Sequence, residues 1–159
     1  MVKRIYGAFL PTTKWNKVYY VIMAFYLNDF FTTLVFCTDI TLEQGYLPRI
    51  FMEATDSVYL GLLFNIVFMV ALWKILFYYS SKFDNILRNY NIQIAKIIET
   101  VSFTLLAFFP ALSFYAATSW YILKYDNYRL GIGAALYFVS LKWVKPLGPR
   151  VRDLEAFHF

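Results

Sequence analysis

Charge and sulfur are what this sequence has least of. Asp, Glu, Lys and Arg make up 16% of its 159 residues, and cysteine and histidine occur once each, as Cys37 and His158. A disulfide within the chain needs two cysteines and a haem held by two histidines needs two; a zinc site or a Cys-His nucleophile pair needs partners that these singletons do not supply. Any such cofactor would be shared with another chain. The motifs of phosphate loops, nucleophile elbows and His-bearing metal sites are missing, as are paired carboxylates within one apolar run. A cleavable secretory signal is not expected either: the first apolar run is too long, contains Asp29 and lacks an Ala-x-Ala site. With no internal repeat, no low-complexity tract and no Pro/Gly/Ser linker, residues 1–159 read as one membrane domain.

Apolar residues take the place of charge. They make up 60% of the chain, including 17 Phe, 14 Tyr and 4 Trp, and the mean hydropathy is +0.52. A water-soluble domain of this length cannot bury so large an apolar fraction, whereas a chain that leaves apolar side chains in lipid has no such difficulty. The expected class is an all-α, polytopic integral membrane protein. Four apolar stretches predict transmembrane helices at about 18–38, 58–79, 97–121 and 128–144. The last covers only about 25 Å at 1.5 Å per residue, so it must lie in thinned lipid or be shielded by neighbours.

The flanking charges agree with four crossings, because basic residues stay on the inner side. Lys3, Arg4, Lys14 and Lys17 precede the first stretch, and Asp39, Glu43, Glu53 and Asp56 face Arg49 in the first loop. Lys82, Arg88 and Lys96 fill the second loop, and Lys145, Arg150 and Arg152 the tail. Both termini are thereby assigned to the matrix or cytoplasmic side of a mitochondrial inner or prokaryotic plasma membrane. The net charge of +5 is then a topology signal, and a nucleic-acid partner is not expected. Phe83, Ile86, Leu87, Tyr90 and Ile94 recur at helical spacing, which predicts an interfacial amphipathic helix over 82–95, opened by a Ser81-Asp84 capping pair, before the third crossing. The alternative is a helical extension of the third crossing packed on a partner. Pro48 is expected at the start of a short surface helix with Ile50, Phe51 and Ala54 on one side.

Polar residues at membrane depth are costly and therefore informative. Asn28 and Asp29 are followed one turn later by Thr32 and Thr33, and Asn65 reaches nearly the same depth, roughly 17 Å from the inner boundary. Pro110 cannot donate its backbone bond, which should kink the third crossing and free the Leu106 carbonyl. A mid-membrane polar layer of Asn28, Asp29, Thr32, Thr33, Asn65 and Pro110 is expected. It reads either as a proton or cation site or as interhelical glue in which neutral Asp29 donates to Asn65. Lys74 should snorkel to the inner interface, and Glu99 is a possible inner-side acid. Gly131, Gly133, Ala134 and Ala135 are expected to let the fourth crossing pack closely on the third, with Gly131 and Ala135 in small-xxx-small register.

The functional expectation is a non-catalytic subunit of a larger, energy-converting assembly of respiratory or ATP-synthase type. Its work would be helix packing, lipid binding and assembly, with other membrane subunits and phospholipid as partners and contacts made by residues 1–17 and the tail. No cofactor is expected in this chain alone; bound lipid is expected on the aromatic surfaces, with a quinone or pigment as the less common alternative. The alternative is a small homo-oligomeric carrier or channel coupled through Asp29. A lipid-modifying enzyme is a weaker reading, since Glu99 and Lys96 have no second acid or histidine beside them.

Overall fold

A computed structural model describes residues 14–122 and 126–143. Among the described residues there is no strand. The elements are α1 (Lys14–Phe36), a 3-10 turn (Ile40–Leu42), α2 (Tyr46–Thr55), α3 (Val58–Tyr90), α4 (Ile92–Leu106), α5 (Phe108–Ser119) and α6 (Tyr128–Trp143). Residues 1–13 and the basic, aromatic tail that ends Phe157-His158-Phe159 lie outside the described residues.

Three helical stretches are long and apolar enough to cross a membrane: α1, α3, and α4 continued by α5. Between 22% and 33% of each is buried, so most of their apolar surface points away from the protein. In the fourth expected stretch α6 forms where the sequence places it, but its 16 residues give only about 24 Å of rise, short of a full hydrocarbon core.

The helix expected over 82–95 is not a separate element. Nothing breaks the helix after Tyr79: Ser80 turns its hydroxyl back onto the Leu76 carbonyl (2.9 Å), and Ser81 lies inside α3 rather than capping a new helix. Residues 82–90 therefore prolong α3 and 92–95 open α4. The break falls at Asn91, whose backbone N–H closes α3 on the Leu87 carbonyl (2.8 Å). Its side chain accepts from the N–H groups of Gln93 (2.9 Å) and Ile94 (3.2 Å), the ordinary office of an N-cap.

Three residues before Pro110 the helix is interrupted at Ala107, between α4 and α5. There the Ala107 N–H bonds the Thr104 carbonyl (3.1 Å). The Phe103 carbonyl is taken instead by the hydroxyl of fully buried Tyr137 from α6 (3.2 Å). A polar side chain on one helix thus repairs the ladder of another, as lipid-facing helices require.

Around this frame α1 packs against α3, α5 and α6, while α5 and α6 form an antiparallel hairpin. The main core joins Trp15, Val18, Tyr19 and Ile22 of α1 to Trp73 and Phe77 of α3 and to Tyr137 of α6. At the Phe36 end of the bundle α2 folds back along α3. Pro48 is the third residue of α2, and the face that docks is carried by fully buried Met52, whereas Ile50 and Ala54 are exposed. A Cβ on Gly61 would collide with the Met52 backbone, and one on Gly133 would lie 2.8 Å from Phe114 Cβ and 2.9 Å from Ala111 Cα. Gly131 has open space around it, and Ala135 is exposed, while Ala134 packs against the main core.

Gly61→Ala is expected to lower the unfolding free energy by about 1–3 kcal/mol through overpacking against backbone. Gly131→Ala should be neutral or stabilising by up to about 1 kcal/mol, since only helix propensity changes there. Thermal unfolding in mild detergent compares the two signs.

Candidate functional site

α1 carries the polar stretch Asn28, Asp29, Thr32 and Thr33 along one and a half turns, and 3.6-residue periodicity sends these side chains different ways. Asn28 is exposed on the outer surface of the bundle. Thr32 donates to its own backbone at Asp29 O (2.8 Å) and Asn28 O (3.1 Å). Asp29 and Thr33 turn inward, where the indole N–H of Trp120 donates to Thr33 Oγ1 (3.2 Å).

Asn65 of α3 is 3% exposed and does meet α1, though not at Asp29. Its Nδ2 donates to the Tyr26 hydroxyl (2.6 Å), one helical turn before Asp29, and its Oδ1 is buried with no partner. Pro110 is buried but lies outside this group. Of the six residues expected in one layer, Asp29, Thr33 and Asn65 are brought together.

What gathers them is a cavity of about 570 Å3 at the Phe36 end. Tyr26, Asp29, Phe30 and Thr33 of α1 with Leu62 and Asn65 of α3 line one side, and Tyr115, Ala116, Ser119 and Trp120 of α5 and the segment after it line another. Glu43, Gly45 and Pro48 close it from the loop side, and Leu42, Gln44 and Ile122 are exposed at its rim. Asp29 is half-buried on this cavity rather than sealed between helices.

Two charged groups at the cavity were not singled out from the sequence. Arg129 is 2% exposed; its guanidinium lies 4.4 Å from the Tyr115 ring centroid, Nη1 donates to Thr118 Oγ1 (3.2 Å) and Nε to the Asp126 carbonyl (3.4 Å). Glu43 is 8% exposed and accepts from the Gly45 N–H. Burial pushes the Glu43 carboxyl above its ordinary range, against the pull of the Gly45 and Gln44 N–H groups. The nearby Asp39 carboxyl is held below its ordinary range by the Thr41 hydroxyl and N–H. Nothing in the sequence marked Glu43 and Arg129 as buried, because Glu43 lies in a short loop of mixed charge and Arg129 stands at the very start of α6.

A second polar cluster lies at the Lys14 end. Glu99 Oε2 accepts from Arg88 Nη2 (2.7 Å) and Lys14 Nζ (3.3 Å), and Arg88 Nε is bridged to Asp84 Oδ2 (2.9 Å). Glu99 Oε1 and the Trp15 indole N–H are both buried without partners beside a pocket of about 110 Å3. Lys74 stays near this end, with Nζ 5.2 Å from the Tyr19 ring centroid. Among the described residues no group of three His, Cys, Asp or Glu side chains converges on a common metal position.

Comparison with known proteins adds no kinship: no protein-family model, no curated protein and no solved structure matches the chain.

Because the folded state holds the Glu43 proton more tightly than the unfolded chain does, its contribution to stability is fully present below the ordinary glutamate range. It is lost as pH rises through the raised folded value. Melting curves across that window should show the wild type losing stability with rising pH, and Glu43→Gln losing less. At the other end, Arg88→Met leaves the buried Glu99 carboxylate short of a partner and should cost about 3 kcal/mol. Lys14→Met should cost under about 1 kcal/mol, since that side chain is 67% exposed.

Proposed function

We propose that this chain is a non-catalytic integral membrane protein whose cavity at the Phe36 end is a binding chamber for a small molecule, reached from the outer side. The proposal includes four crossings, with both termini inside an inner-type membrane. Lys14, Lys17, Lys82, Arg88 and Lys96 at one end, against Asp39, Glu43, Glu53 and Asp56 at the other, support that orientation. The packing of α6 against α5 and α1 supports a fourth crossing despite its length.

One observation carries the reading. A polar layer that served packing alone would satisfy its members across the helix interface. Here Asn65 Oδ1 is left unpaired and Asp29 turns to a cavity of about 570 Å3, a size and lining suited to a small molecule. This favours the carrier or binding reading, with Asp29 at its centre.

Membership of a larger energy-converting assembly is the second reading. It is favoured by the broad apolar faces that α3 turns away from the bundle, among them Leu63, Phe64, Val67 and Ile75, which need lipid or neighbouring subunits.

Sealed vesicles separate the two. With Cys37 replaced by Ser, Asp29→Cys should react with a membrane-impermeant thiol reagent added at the acidic-loop side and stay unreactive from the other side. Protein extracted in mild detergent should be a homo-oligomer or monomer. An unreactive Asp29→Cys, together with several stoichiometric partners in the extract, would establish the subunit reading instead.

A further inference from the structure

The chamber's lining carries more carboxyl groups than cations. Its lining includes the Asp29 carboxyl and Asn65, a residue 3% exposed whose Oδ1 is buried with no hydrogen-bond partner. Nearer the loop stands the Glu43 carboxyl. Several donors that line the same space are engaged within the protein. The Trp120 indole donates to Thr33, Ser119 Oγ to the Ala116 carbonyl (2.6 Å), and Arg129 to Thr118 and Asp126 while stacked over Tyr115. Two carboxyl groups, Asp29 and Glu43, stand against one guanidinium, Arg129, and no third carboxylate or imidazole joins them to form a metal site among the described residues.

The walls supply the other half of the description. Tyr26, Phe30, Tyr115 and Trp120 line the chamber with ring surface, which attracts cations through the ring quadrupole as well as burying apolar bodies. A bare inorganic cation would leave that surface unused, and a carboxylate or phosphate would face Asp29 and Glu43 across the same space.

We infer that the chamber binds an organic ammonium group carried on an apolar body, with Asp29 and the Asn65 side-chain oxygen receiving its N–H donors or positive charge and the aromatic wall holding the body. This rests on the binding reading above and narrows it to a ligand class. The same headgroup chemistry occurs in free amines and in aminophospholipids.

The test uses a reporter at the chamber wall, Ser119→Cys in the full chain with Cys37→Ser, in vesicles of phosphatidylglycerol. Labelling by an impermeant thiol reagent is timed in the presence of 2-phenylethylammonium, 2-phenylethanol or 3-phenylpropionate, three probes with one aromatic body and different heads. The ammonium probe should slow labelling at a concentration about tenfold lower than the alcohol, a difference of about 1.4 kcal/mol, and the carboxylate should not protect. Adding Asp29→Asn should erase the preference for ammonium over alcohol while labelling without probe continues. Slower labelling in vesicles containing phosphatidylethanolamine, with no probe added, would assign the ammonium to a lipid headgroup; an unchanged rate there, with protection by the soluble amine, would assign it to a free amine. Equal protection by all three probes, better protection by the carboxylate, or protection by none overturns the ammonium inference and leaves the chamber standing. A reporter that never labels overturns the chamber itself.

Discussion

A group that can hydrogen-bond is expensive to leave dry, and the arrangement of this bundle follows from that cost. Apolar surface is so abundant that it does not discriminate between arrangements: Phe31, Val35, Phe64 and Val67 all point outward without penalty if lipid receives them. The polar groups are few, and several of them find partners inside the bundle. Tyr137 reaches the Phe103 carbonyl at the α4–α5 break, Asn65 reaches Tyr26, Trp120 reaches Thr33, and Arg88 reaches Glu99. These contacts tie α6 to α4, α3 to α1, the segment after α5 to α1, and α3 to α4. Apolar packing around Trp15, Trp73 and Phe77 then fills the space between ties already set.

The helices were legible in the sequence because their signal is redundant. Twenty or so apolar residues in a row need no fine reading, and α1, α3 and α6 begin within a few residues of where apolar content predicts. The break near Pro110 was legible for an equally direct reason, the missing backbone donor. What composition cannot show is where a helix fails to stop. Ser80 and Ser81 resemble a boundary, yet a serine that bonds back to the preceding turn lets the helix run on to Asn91.

The site was legible only in part. Asp29, Thr33 and Asn65 were identifiable because a polar residue amid apolar ones is conspicuous, but their partners were not. Depth alone brings Asp29 level with Asn65. Which side chain Asn65 meets depends on the rotation of two helices about their axes, and that rotation selects Tyr26. Glu43 and Arg129 were lost among ordinary loop charges, since their burial arises from the folding of the α1–α2 loop and the start of α6 over the chamber. Gly61 gave no signal at all: one glycine early in an apolar helix becomes meaningful only when α2 lies on it. The small residues of α6 divide in the same way, with Gly133 against Ala111 and Gly131 facing open space.

The central claim is that Asp29 and Asn65 form the floor of an occupied or hydrated chamber and are not partners sealed against each other. An experimental structure in lipid nanodiscs, at a resolution that shows ordered water, tests it most directly. The account predicts density for water or a ligand within hydrogen-bonding distance of Asn65 Oδ1, continuous with the space beneath Glu43. A collapsed chamber, with the Asp29 carboxyl bonded to Asn65 and lipid chains or side chains filling the rest, would contradict it.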